Sequence, residues 1–116
     1  MSLTFPLIAL GGAAGSVLRH LMVSAIGAPL GTAAVNALGS LGIGVLFVLL
    51  GNREGWQLLL MSGLLGGFTT FSAFSLDTLK LVEAGQYLQA AAYVLGSVAL
   101  SLIAVALGVA IARSLT

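Results

Sequence analysis

Four apolar runs occupy almost the whole of this 116-residue chain, at about 3–26, 31–50, 56–82 and 87–112. A helix needs roughly 20 apolar residues to cross a bilayer. Each run is long enough, and little sequence is left between them. The connections carry turn and polar residues: "GAPLG" at 27–31, "GNREG" at 51–55 and "EAGQ" at 83–86. In hydrocarbon every backbone polar group needs a partner within the protein, so the runs are expected to be helices. Charged residues make up only 6% of the chain, whereas a soluble domain carries about 25%. The expected fold is therefore an all-α membrane protein, one transmembrane domain over residues 1–116, with lipid as its solvent.

The seven charges are Arg19, Arg53, Glu54, Asp77, Lys80, Glu83 and Arg113, and the net charge is +1. No basic face for nucleic acid is present. There is no cysteine, which excludes disulfides and thiolate metal sites. The first residues lack a basic segment, so no cleaved signal peptide is expected. Four spans put both ends and the 51–55 loop on one side. That side holds Arg53 and Arg113; the other holds Lys80, joined by Arg19 if it reaches that end. Lys/Arg excess in short loops sets orientation. Here the excess is close to zero, so insertion both ways and antiparallel pairing are expected.

Polar residues inside the runs repeat at helical spacing. Thr32, Asn36 and Ser40 follow one another at four-residue intervals, as do Tyr93, Ser97 and Ser101. Residues four apart share a helix face. Such seams at membrane depth face the protein interior or a wet cavity. Hydrogen bonding between helices, at about 0.6 kcal/mol each, is the ordinary role; for Asn36 an ion path is an equal reading. Arg19 reads as an anion attractor at a pore mouth, or as a side chain reaching out to water. For His20 the second role is expected. Gly11–Gly15 and Gly63–Gly67 have the spacing that lets membrane helices approach closely.

The stretch "GGFTTFSAFS" at 66–75 sits in the third run. Glycine costs about 1 kcal/mol against alanine in a helix, and threonine also disfavours it. A break is expected near the middle of this helix. It would free backbone groups, which membranes tolerate where the backbone lines a cavity. Phe71 and Phe74 share one face. Their positive ring edges can meet an anion, with hydroxyls of Thr70, Ser72 and Ser75 donating to it. Core packing is the alternative for the two rings.

This stretch resembles the signature of the Fluc fluoride channels, also called CrcB proteins. "GGAAGSVLRH" at 11–20 is similar to the family's glycine-rich first span ending in arginine. "GTAAVNALGSLGIG" at 31–44 is similar to its second-span pattern. The resemblance covers all four spans. One departure is Asp77, where relatives often carry glutamate, and the charge is kept.

The resemblance implies an antiparallel, dual-topology homodimer with two fluoride pathways in a cell inner membrane, mostly in microbes. The implied path comprises Phe71, Phe74, Asn36, Thr70, Ser72, Tyr93, Ser97 and Ser101, with Arg19 near the vestibule. It also implies a structural sodium ion at the dimer centre, held by the carbonyls of Gly66 and Thr69. The implied activity is passive export of fluoride.

The alternative is a coupled transporter of the small multidrug type, also a four-span dual-topology dimer. Those proteins use a membrane-embedded glutamate, and the first run here has no carboxylate. A structural subunit without transport is a third class, and the clustered polar seams oppose it. No metal-ligand cluster, nucleophile–base pair or phosphate loop indicates an enzyme.

Overall fold

The computed structural model describes residues 2–116 and is helical throughout. Helix α1 is Thr4–Ile26 and α2 is Leu30–Leu50. Helix α3 (54–68) is followed by α4, Phe71–Glu83, and α5, Tyr87–Leu115. Helices α3 and α4 together form one bent 30-residue span, so four spans are long and apolar enough to cross a membrane. The fourth span, α5, runs three residues past the end of the apolar run at 112, to Leu115. Each connection contains a glycine at positive φ: Gly27 (90°), Gly51 (55°) and Gly85 (77°). Only glycine takes this conformation without a side-chain penalty, so tight turns fall at these three positions.

Few side chains are buried. Among the described residues the buried hydrophobic ones are Val35, Phe74, Ala90, Ala104 and Ala112. Leu88, Phe5 and Phe71 are 85%, 79% and 77% exposed. So large an apolar exterior suits lipid or another protein surface and not water.

Glycines, in place of large side chains, set how the helices meet. Helix α1 lies along α3, and α2 lies along α5. The two small-residue motifs pack on each other. A Cβ on Gly67 would stand 2.6 Å from Gly12 O, and one on Gly63 would stand 2.9 Å from Gly11 Cα. Gly44 and Gly108 do the same for α2 and α5: a Cβ on either would lie 3.0 Å from a backbone nitrogen of the other helix, Val109 N and Val45 N respectively. In lipid, helices gain by close backbone approach and not by hydrophobic burial.

Within α3, residues Gln57–Leu65 form a wider π-helical turn. Gly11 and Gly15 of α1 sit against its Leu59 and Leu64 carbonyls. The widened stretch thus lies where the two glycine motifs meet. Such widened turns occur as bulges that re-aim the helix beyond them.

Candidate functional site

The helix break lies one turn later than the Gly66–Gly67 pair. Gly66–Phe68 is still helical. Thr69 (ψ 157°) and Thr70 (φ −153°, ψ 120°) are extended, and α4 begins at Phe71. Three bonds hold the break. Asn36 Nδ2 donates to Thr70 O at 3.0 Å. Thr70 N–H donates to Asn36 Oδ1 at 2.7 Å. The Thr70 hydroxyl accepts from Ala73 N–H at 3.1 Å and caps α4. Asn36 therefore pairs with Thr70 as a neighbouring strand would.

These bonds also leave two carbonyls without their helical donors. In an uninterrupted helix the N–H of residue i bonds the carbonyl of i−4. Thr70 N–H would go to Gly66 O, and Ala73 N–H to Thr69 O. Both N–H groups are diverted, to Asn36 Oδ1 and Thr70 Oγ1. Gly66 and Thr69 line a cavity of about 230 Å³ together with Asn36, Gly39, Ser40 and Met61.

A second cavity, of about 290 Å³, also adjoins the break. It gathers Asn36, Thr69, Thr70, Phe71, Phe74, Ser97 and Ser101, seven residues singled out in the sequence, against an apolar wall of Val98 and Leu102. The Ser97 hydroxyl is buried and has no hydrogen-bond partner among the described residues. The Phe71 and Phe74 rings lie 5.4 Å apart at 45°. Phe74 is buried while Phe71 is exposed.

Other expected site residues are not in the wall of this cavity. Ser72 is exposed, with its Oγ 3.3 Å from Thr70 Oγ1. Ser75 is removed from the donor set: its hydroxyl donates to Phe71 O at 2.9 Å, within its own helix. Tyr93 stacks at 5.3 Å and 41° on Phe74, and its hydroxyl donates to Asp77 Oδ2 at 3.2 Å. The donor of Tyr93 is thus already engaged. Asp77 is buried, and its contact with Tyr93 joins residues sixteen apart on different helices, which no local pattern reveals. Arg19 is half-buried, and its Nε has no hydrogen-bond partner among the described residues. It lines neither cavity. His20 is exposed, 3.5 Å from Ser24 Oγ.

Residues 6–109 match the family described as CrcB-like protein, Camphor Resistance (CrcB). The chain belongs to this family. It is 49% identical over 122 residues to a Paracoccus denitrificans protein named fluoride-specific ion channel FluC, a match covering 99% of this chain and 98% of the relative. Proteins of the same name from a Chelativorans species and from Coxiella burnetii are 49% and 48% identical. Each of these two matches covers 94% of this chain, and 95% and 97% of the relatives. With four candidate spans, this CrcB-family chain is a multi-pass membrane protein.

Proposed function

We propose that this protein is a fluoride-selective channel for passive export, working as an antiparallel homodimer in a bacterial inner membrane. The carrying observation is the 290 Å³ cavity, where neutral hydroxyls and phenyl rings converge at a helix break. Fluoride is small and tightly hydrated. A pore for it must replace lost water without binding the ion too strongly to release it. The hydroxyls of Ser97, Ser101 and Thr70 supply donors, and the ring edges of Phe71 and Phe74 supply weak positive potential. No lysine or arginine lines this cavity to trap the ion.

The single chain leaves Phe71 uncovered at the cavity's edge. This exposed ring supports the dimer reading: a second copy would cover it, and each path would then be walled by both copies. A vestibule role is assigned to Arg19 on its charge: a half-buried guanidinium near the end of α1 can attract an anion. Tyr93 serves as a support for Phe74, and Ser72 extends the hydroxyl row from Thr70. A structural sodium ion fits the site at the break. Gly66 O and Thr69 O, freed of their helical donors, are hard neutral oxygens of the kind such a cation takes. When bound, it would balance those carbonyls and join the copies.

Efflux from proteoliposomes tests the function. Fluoride should leave rapidly and chloride should be retained. Phe71→Ile and Phe74→Ile keep bulk and lose the ring quadrupole. Each should slow fluoride efflux roughly tenfold, if a ring edge is worth about 1–2 kcal/mol to the ion, as a ring face is to a cation. Wild-type rates in both variants would return the pair to core packing.

Topology has a separate test. A cysteine added at the C-terminus should be labelled from outside in about half of the molecules, given the balanced Lys/Arg count. Labelling of all or none would rule out dual topology.

A further inference from the structure

The buried face of α4 continues past the fluoride cavity. Thr70, Phe74, Asp77 and Leu81 follow at helical spacing, and the first three are each 8% exposed. Beyond Phe74 the face reaches another cavity, of about 240 Å³, under the turn between α1 and α2. Ala28, Pro29, Asp77, Lys80 and Leu81 line it. Asp77 is thus at the inner end of this cavity, next to Tyr93 and hence Phe74. Lys80 stands in the last turn of α4 and is exposed. It lines the same cavity as Asp77 without pairing with any carboxylate among the described residues. Glu83, one turn further on, is exposed and lines no cavity described above. The α1–α2 turn contributes no charge.

We infer that Lys80 is the anion-capture residue of an entrance to the fluoride path, offsetting the charge of Asp77. A carboxylate at an entrance repels the ion that must pass it. The Lys80 ammonium cancels that field at the outer rim, where an anion arrives. Charges lining clefts raise local counter-ion concentration and entry rates, by 10-fold or more in strong cases. The exposed position suits this role: the lysine attracts the ion in water and is absent from the lining of the fluoride cavity. In an antiparallel pair one such entrance would face each side of the membrane.

The inference rests on the fluoride-channel reading. The test is fluoride efflux from proteoliposomes at fluoride concentrations low enough for entry to limit the rate. The Debye length is about 30 Å at 0.01 M ionic strength and about 3 Å at 1 M. Lys80→Gln should slow efflux roughly 3- to 10-fold at the lower ionic strength. Lys80→Glu should slow it further. Lys80→Arg should match wild type, and an inert salt at the higher ionic strength should erase the differences. A lysine that only stabilises the end of α4 would shift the melting temperature and leave efflux unchanged. Wild-type efflux in Lys80→Gln at low ionic strength, or an equal slowing at both strengths, overturns the inference. Wild-type liposomes that release chloride as readily as fluoride would instead overturn the channel reading.

Discussion

Asn36→Asp should reduce fluoride efflux by roughly three orders of magnitude. Asn36 lines both cavities at the break. An ionised aspartate there would stand about 4 Å from a passing anion, where repulsion is about 4 kcal/mol at an effective dielectric of about 20. Each 1.36 kcal/mol is about tenfold in rate. The substitution has a second effect. Asn36 Nδ2 donates to Thr70 O, and a carboxylate has no such donor. The bond from Thr70 N–H to Oδ1 survives. Leaving a buried carbonyl unpaired costs about 1–3 kcal/mol. Asn36→Ala separates the two effects: it removes both bonds and adds no charge. It should lower the melting temperature of the detergent-solubilised protein more than Asn36→Asp does, yet slow efflux less. Unchanged efflux in Asn36→Asp would make the Thr32–Asn36–Ser40 seam packing only.

This double role of Asn36 marks the limit of what the chain shows before folding. The four spans follow from length and hydropathy, because lipid leaves the backbone no other choice. The glycine motifs of α1 and α3 follow from their spacing, and they meet. The break was legible as an event and to within the 66–70 stretch, but not at which end of it. Gly66–Gly67 looks like the weak point, yet it stays helical. There the glycine penalty of about 1 kcal/mol is offset by close packing, with Gly67 against Gly12 and Ser16. The break falls at Thr69–Thr70, because Asn36 captures both backbone groups of Thr70. Asn36 lies 34 residues away in sequence, so no local propensity encodes that capture. The wide turn at Gln57–Leu65 is hidden for a similar reason: it is set against α1 and not by its own Leu-rich composition. Tyr93 reads as one member of a polar seam with Ser97 and Ser101. In the fold the three diverge, since Asp77 claims the Tyr93 hydroxyl while that of Ser97 has no partner among the described residues.

Removing sodium should lower the stability of the dimer and leave the ion selectivity of the current unchanged. The reason lies in the two diverted N–H groups. Thr70 N–H goes to Asn36 and Ala73 N–H goes to the Thr70 side chain. Gly66 O and Thr69 O are left without those donors. In a membrane an unsatisfied backbone group costs several kcal/mol, and here both lie beside a cavity of about 230 Å³. Gly66 is exposed in the single chain, so its carbonyl is within reach of whatever packs there. We propose that a second, antiparallel copy brings its own break to this place, and that one sodium ion is shared between them. Oxygen ligands suit a hard monovalent cation of this kind. An ion shared at a two-fold axis is bound from both sides and does not travel with the fluoride. Three measurements follow. Exchange of sodium for a large organic cation should lower the melting temperature of the detergent-solubilised dimer. A ligand that binds only the folded state contributes about 2.7 kcal/mol at one hundred times its Kd, which is a large fraction of a typical folding stability. The reversal potential should track the fluoride gradient alone, whatever the sodium gradient. Thr69→Val should keep the sodium-dependent shift in melting, because the proposed ligand is the backbone carbonyl. That variant loses only the bond from its hydroxyl to Leu65 O at 2.9 Å. A melting temperature indifferent to sodium, or a current that reverses with the sodium gradient, would show that the carbonyls of the break have some other partner.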